Sequence, residues 1–113
     1  MVPWLLAFAL TLIVEGPVVA IALRRPVPSV GRRFLLAIFA NLATHPVVWF
    51  VFPDLPVAWG LSLALSEAFA TGTETVFYRT LVPGVSWTRA VATSLVANAA
   101  SFGMGLAVYA FLE

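Results

Sequence analysis

The sequence predicts an all-α fold: a polytopic membrane protein whose four transmembrane helices form one compact bundle. Composition is the first observation behind this prediction, since 62% of the 113 residues are hydrophobic and only 10% are charged. A soluble domain averages about 45–50% apolar and about 25% charged residues, and so short a chain cannot bury this much apolar surface in water. The mean hydropathy of +1.03 agrees. We therefore expect a single transmembrane domain over residues 1–113.

The spacing of the apolar stretches is the second observation. A hydrocarbon core of about 30 Å needs about 20 helical residues, and four stretches have that length. They lie at about 4–23, 34–52, 57–78 and 88–112. Proline, glycine and charged residues separate these stretches, and Ser86 is the predicted N-cap of the fourth helix.

The distribution of charge is the third observation. All basic residues are Arg, and they flank the first and third loops: Arg24, Arg25, Arg32, Arg33, Arg79 and Arg89. Because cytoplasmic loops carry the excess of basic residues, this pattern predicts an integral protein of the plasma (inner) membrane with cytoplasmic Arg-rich loops and both termini outside. The aromatic residues are then predicted at the membrane interfaces, with Trp4, Trp49, Trp59 and Tyr109 on the outer side and Tyr78 and Trp87 on the inner side.

The second and fourth spans share a short pattern. Residues 40–44 read ANLAT and residues 97–101 read ANAAS, and each follows a helix that descends through Glu to a cytoplasmic Arg. This similarity predicts two duplicated helical hairpins related by a pseudo-two-fold axis along the membrane normal, an arrangement found in transporters. Chance is the alternative, since Ala, Asn and Ser are common residues in membrane helices.

Polar residues inside the spans fall at similar depths. Counting about 1.5 Å per residue from the Arg of each span places Glu15, Asn41, His45, Glu67 and Asn98 in one central slab. The same count places Glu74 nearer the cytoplasm. Spacings of three and four residues put the polar side chains of each span on one helical face, and the supporting polar residues are Asn41, Thr44, Thr71, Asn98 and Ser101.

These residues predict an ion- or proton-binding site at the centre of the bundle. A charged side chain at the middle of a membrane helix costs roughly 2.5–3.5 kcal/mol, so the acidic residues must face inward, pair with another group or be protonated. Glu15 and Glu67 would carry the charge, and His45 would accept or relay a proton. Glu74 would line the cytoplasmic exit. The predicted function is a small transporter or channel-like protein, acting as a homo-oligomer in the lipid bilayer.

Two prolines stand beside the ionisable residues. Pro17 follows Glu15 by two positions and Pro46 follows His45 directly. Each proline removes one helical N–H donor. We therefore expect a break in the first and second helices, with free carbonyl groups close to the site.

Other readings of the polar cluster stay open. The cluster could only hold the helices together, which predicts a non-catalytic accessory or assembly subunit with a membrane-protein partner. His and carboxylates also suit a divalent cation, and the metal-ligand candidates are Glu15, His45 and Glu67. An intramembrane metal-dependent enzyme is the more distant alternative, because no HExxH motif is present. The sequence has no basic patch of the kind that binds nucleic acid, so no nucleic-acid partner is predicted.

Overall fold

The computed structural model describes residues 3–112, and within them the chain is helical apart from its loops. The helices are α1 (Trp4–Ala22), α2 (Val30–Phe50), α3 (Trp59–Leu81) and α4 (Trp87–Leu112), with a 3-10 turn at Phe52–Asp54 between α2 and α3. The prediction of an all-α bundle of four helices is confirmed. Met1, Val2 and Glu113 of the predicted domain lie outside the described residues.

Serine caps set two of the helix starts. The Ser29 hydroxyl accepts a hydrogen bond of 3.3 Å from the backbone N–H of Arg32, so α2 begins earlier than hydropathy alone indicates. The Ser86 hydroxyl accepts one of 3.0 Å from the backbone N–H of Arg89, which confirms the predicted cap of α4. Side-chain caps satisfy N–H groups that have no partner within the helix.

Both prolines lie inside continuous helices. α1 runs through Pro17 to Ala22, and α2 runs through Pro46 to Phe50. The expected helix breaks are therefore absent from these two segments. Next to Pro17, α1 packs closely against α2 at Gly16. A Cβ atom added at Gly16 would lie 3.0 Å from Cε1 of Phe34 on α2.

The four helices pack in a ring. α1 packs against α2 and α4, and α3 packs against the same two helices. α1 and α3 are therefore diagonal partners, as are α2 and α4, and every helix turns one face to a shared interior. The bundle measures 40 × 26 × 18 Å along its principal axes.

The apolar core lies at one end of this ring. We call it the arginine end, because α1 and α3 finish there, α2 and α4 begin there, and all six Arg lie in this part of the chain. The core residues are Val19, Leu23, Val27, Ala37, Ala40, Tyr78, Val82, Val85, Ala90 and Ala97. Tyr78 is fully buried among them. Its predicted place at the membrane interface is wrong, because the ring points into the bundle.

Arginine side chains from both neighbouring helices bind the end of α1. The Arg33 guanidinium at the start of α2 donates to the carbonyl of Ala20 at 2.7 Å. Arg89 in the first turn of α4 donates to the carbonyl of Ala22 at 2.8 Å. These bonds satisfy carbonyl groups that a helix C-terminus leaves without partners.

Three segments are long and apolar enough to cross a membrane: Trp4–Ala22, Val30–Asp54 and Trp87–Phe111. This composition supports membrane residence of the bundle. α3 is less apolar than the other helices, and several of its polar residues are buried inside the bundle: Ser62, Ser66, Glu74 and Thr75.

Candidate functional site

The central polar residues form two groups, one around Glu74 and one around Glu15. Each of these carboxyl side chains is only 1% exposed. The two carboxyl groups differ in how many of their oxygen atoms are hydrogen-bonded. The group around Glu74 joins helices, whereas the group around Glu15 borders a cavity.

The Glu74 network joins α3 to both of its neighbours. Oε2 of Glu74 accepts a hydrogen bond of 2.8 Å from the Thr44 hydroxyl on α2. Oε1 accepts one of 2.9 Å from the Asn98 amide on α4. A second contact between α3 and α4 runs from the Ser94 hydroxyl to the carbonyl of Thr71 at 2.8 Å. Both oxygen atoms of Glu74 are thus occupied by groups of the chain itself.

Only one of the two carboxyl oxygen atoms of Glu15 has a hydrogen-bond partner among the described residues. Its Oε2 accepts a hydrogen bond of 2.5 Å from the Ser101 hydroxyl on α4, and the Asn41 amide on α2 faces the same carboxyl group. Within the described residues, Oε1 of Glu15 is buried and has no hydrogen-bond partner. Leaving a buried polar atom without a partner costs about 1–3 kcal/mol, and more for a charged group. The carboxyl group therefore has one oxygen atom without a partner among the described residues.

A cavity of about 600 Å³ borders Glu15, and side chains from all four helices line it. The predicted site residues in its wall are Glu15, Asn41, Thr44, His45, Glu67, Asn98 and Ser101. Thr71 and Glu74 are not among the lining residues. The cavity runs from Glu15, next to the core of the arginine end, to Trp49 and Tyr109 near the opposite end. Glu15 is consequently at its deep end.

His45 is oriented by Trp4. The indole N–H of Trp4 donates to Nδ1 of His45 at 2.9 Å. A nitrogen that accepts a hydrogen bond carries no proton, so the neutral ring carries its proton on Nε2. Nε2 lies 3.4 Å from the Thr11 hydroxyl, and both residues line the cavity. His45 thus presents an N–H group to this space rather than a free acceptor.

Trp4 contacts the candidate site through His45, although the sequence predicted only a place at the membrane interface for it. Its ring stacks on Phe8 at 5.3 Å between centroids, and Phe8 packs edge-on against His45 at 5.5 Å. The signal was available in the sequence, since Trp4, Phe8, Thr11 and Glu15 follow one helical face of α1.

Glu67 occupies a different position from Glu15. It is half-buried and lines both the central cavity and a groove of about 550 Å³ between α3 and α4. Asn98 and Phe102 also line both spaces. These three side chains therefore form the partition between the cavity and the outer surface of the bundle.

Glu74 lies level with Thr44 and Asn98, which it contacts, and not closer to the arginine end. The depth count failed because Arg79 does not mark the end of α3, which continues to Leu81. The Arg79 guanidinium instead lies over the Trp87 ring, 5.2 Å from its centroid. An arginine that reaches along the surface is a poor marker of depth, because its long side chain can extend to the polar end.

Among residues 3–112, no three His, Asp or Glu side chains come together as a set that could hold a metal ion. The metal candidates Glu15, His45 and Glu67 therefore share the cavity wall without forming a ligand cluster. No family model matches the chain, and no curated protein and no solved structure shows significant similarity to it.

Proposed function

We propose that this chain is a small transporter or channel-like protein of the plasma (inner) membrane that binds a cation or a proton at Glu15. One observation carries the proposal: a buried carboxyl group with a free oxygen atom borders a cavity lined by all four helices. Acidic residues inside a membrane bundle mark ion or proton pathways more often than they serve packing alone.

The proposal includes four membrane-spanning helices. α3 has a lower hydropathy than its neighbours, but it turns Ser62, Ser66 and Glu74 inward and Leu61, Leu65 and Val76 outward. A helix with this division can span a bilayer as part of a bundle, because lipid meets only its apolar face. The arginine end would lie in the cytoplasm with both termini outside.

The hydrogen bonds support a duplicated hairpin. Glu15 on α1 accepts from Ser101 on α4, and Glu74 on α3 accepts from Thr44 on α2. A two-fold axis along the bundle exchanges these pairs, because α1 and α3 are diagonal in the ring. The spacing between the capping serine and the asparagine is also the same in the two helices: Ser29 and Asn41 in α2 are as far apart in sequence as Ser86 and Asn98 in α4.

The two halves differ in function under this proposal. Glu74 is satisfied by its neighbours and would join helices, whereas Glu15 would bind the cation or proton. Glu67 would add a second acidic group in the wall, and His45 would donate its Nε2 hydrogen to a ligand. All of this chemistry lies within one chain. A homo-oligomer or a membrane-protein partner remains a prediction.

The Glu74 network favours the second candidate function, a non-catalytic assembly subunit. Its hydrogen bonds connect three helices without leaving an oxygen atom of Glu74 free. If Glu15 served only the same purpose, replacing it would affect folding and assembly but no binding reaction.

Proton release on ligand binding tests the proposal. The purified protein in detergent is mixed with sodium, potassium, magnesium or organic ammonium salts while a pH-sensitive dye reports released protons. We expect wild type and the control Asp54→Asn to release protons with at least one of them, and Glu15→Gln to release none. Asp54 is the matched control because it is exposed and is not one of the residues that line the cavity.

Two outcomes would overturn the proposal. Wild type that neither binds nor releases protons with any of these cations would exclude the transporter function. Release that is unchanged in a correctly folded Glu15→Gln variant would place the site elsewhere. Loss of folding in Glu15→Gln alone, with no response in wild type, would favour the assembly subunit.

A further inference from the structure

The cavity has the chemistry of a site for an organic ammonium ion. We propose that it binds a protonated amine at Oε1 of Glu15, with a hydrogen-bond acceptor of the ligand at Nε2 of His45 and an apolar body against the cavity walls. This inference rests on the proposed function and names the class of cation.

The charge of the wall favours a cation. Glu15 and Glu67 are its acidic residues, and among the described residues no Arg lines the cavity. A pocket whose charged groups are all acidic attracts positive charge, because low-dielectric walls strengthen electrostatic interactions. The carboxyl oxygen without a partner is an acceptor for the N–H groups of an ammonium ion.

The size and lining of the cavity favour an organic cation over a bare metal ion. A volume of about 600 Å³ lies in the range of small-molecule pockets, about 300–1,000 Å³. A water molecule accounts for only about 30 Å³ of liquid. Most of the wall is apolar or aromatic, including Leu10, Trp49, Phe102 and Met104. Aromatic faces also attract cations, whereas a metal ion would need a ligand cluster that residues 3–112 do not form.

The orientation of His45 adds a second anchor. Because Trp4 occupies Nδ1, the neutral ring carries its hydrogen on Nε2, which lies 3.4 Å from the Thr11 hydroxyl. This distance is long for a hydrogen bond, so an acceptor atom of a ligand can take the place of the hydroxyl. Nε2 is close to Thr11, which stands one helical turn from Glu15 on α1. Cβ atoms one turn apart on a helix are separated by about 5–6 Å, so the two anchors lie within reach of one small ligand. The inferred ligand is an amine with an acceptor atom a few bonds from its nitrogen.

Two isosteric probes test this geometry. 3-Phenoxypropylamine carries an ether oxygen three carbons from its amine, and 4-phenylbutylamine has a methylene group in place of that oxygen. A neutral probe, 3-phenoxypropan-1-ol, lacks the positive charge. Binding to the full-length protein in detergent is measured by titration calorimetry against a protein-free detergent blank.

We expect 3-phenoxypropylamine to bind wild type and Asp54→Asn alike, and the neutral alcohol to bind at least tenfold more weakly. Glu15→Gln should weaken binding of both amines by at least tenfold. The ether should be preferred over its methylene analogue by roughly two- to tenfold, as one hydrogen bond provides. His45→Phe should abolish this preference while it preserves the dependence on charge.

Several results would overturn the inference. Equal binding of the amine and the neutral alcohol to wild type would exclude an ammonium site, whether or not any variant folds. Absence of an ether preference in wild type would exclude the His45 anchor. Binding of sodium or magnesium that depends on Glu15, without binding of either amine, would refute the ligand class and leave the proposed function intact.

Discussion

Hydrogen bonding of Glu74 makes a quantitative prediction about stability. The perturbation is Glu74→Ala, which removes the acceptors of Thr44 and Asn98 on two neighbouring helices. Interhelical hydrogen bonds in membrane proteins contribute about 0.6 kcal/mol on average and about 1.7 kcal/mol at most. Two such bonds therefore amount to about 1–3 kcal/mol of the free energy of unfolding.

The structure favours the lower part of that range for the hydrogen bonds. After the substitution, the Thr44 hydroxyl can turn its single hydrogen to the carbonyl of Ala40, which lies 3.2 Å away, and the Asn98 amide keeps its bond of 2.8 Å to the carbonyl of Ser94. Neither donor is left without a partner, so no desolvation penalty is added. Packing loss at the shortened side chain comes in addition.

A double-mutant cycle isolates the pair. The free energy of unfolding is measured for wild type, Glu74→Ala, Thr44→Val and the double variant by titrating SDS into detergent micelles and following tryptophan fluorescence. We expect a coupling energy of about 0.6–1.7 kcal/mol between the two residues. Glu15→Gln is the control and should destabilise the bundle less than Glu74→Ala does, because its amide oxygen can keep the Ser101 bond and Oε1 has no partner to lose. Zero coupling, or a Glu15→Gln variant as unstable as Glu74→Ala, would refute the division into a joining group and a binding group.

Two further predictions follow from local geometry. In protein labelled with ¹⁵N at histidine, we expect the NMR shifts of His45 to show the Nε2–H tautomer. In Trp4→Phe this tautomer should no longer dominate, because Nδ1 loses its hydrogen-bond donor. A dominant Nδ1–H tautomer in wild type would contradict this prediction. At the glycines, Gly16→Ala should lower the free energy of unfolding by about 1 kcal/mol, because its Cβ would crowd the Phe34 ring at 3.0 Å. Gly72→Ala is its control and should raise stability by roughly 0.5–1 kcal/mol, because nothing lies within 4 Å and alanine favours the helix; the same sign for both variants in SDS titration would contradict the packing argument.

The fold was predictable where it depends on hydropathy and local signals. Apolar stretches located the helices, and Ser86 was correctly identified as a cap. The ring order was not predictable, because it depends on which helical faces fit together and not on any single stretch. Tyr78 was misplaced for a related reason: an aromatic residue near a charged loop suits both an interface and a core, and only packing distinguishes the two.

The candidate site was predictable as a set of inward faces but not as two separate groups. Helical spacing correctly indicates that Glu15, Asn41 and Asn98 can face a common interior, and they all line the cavity. Whether a carboxyl oxygen is occupied or free depends on distances of a few tenths of an ångström between helices. No sequence pattern contains that information, so Glu15 and Glu74 looked equivalent until their partners were known.

The arginine bonds at the end of α1 also bear on the order in which the protein matures. The carbonyls of Ala20 and Ala22 accept from Arg33 on α2 and Arg89 on α4, and these residues are synthesised well after α1. The end of α1 therefore acquires its partner from α4 only after α2 and α3 have been synthesised. Lysine would satisfy the charge rule for topology equally well, but it lacks the forked guanidinium with which Arg33 reaches both Ala20 and Pro28. This gives a physical reason for arginine at position 33.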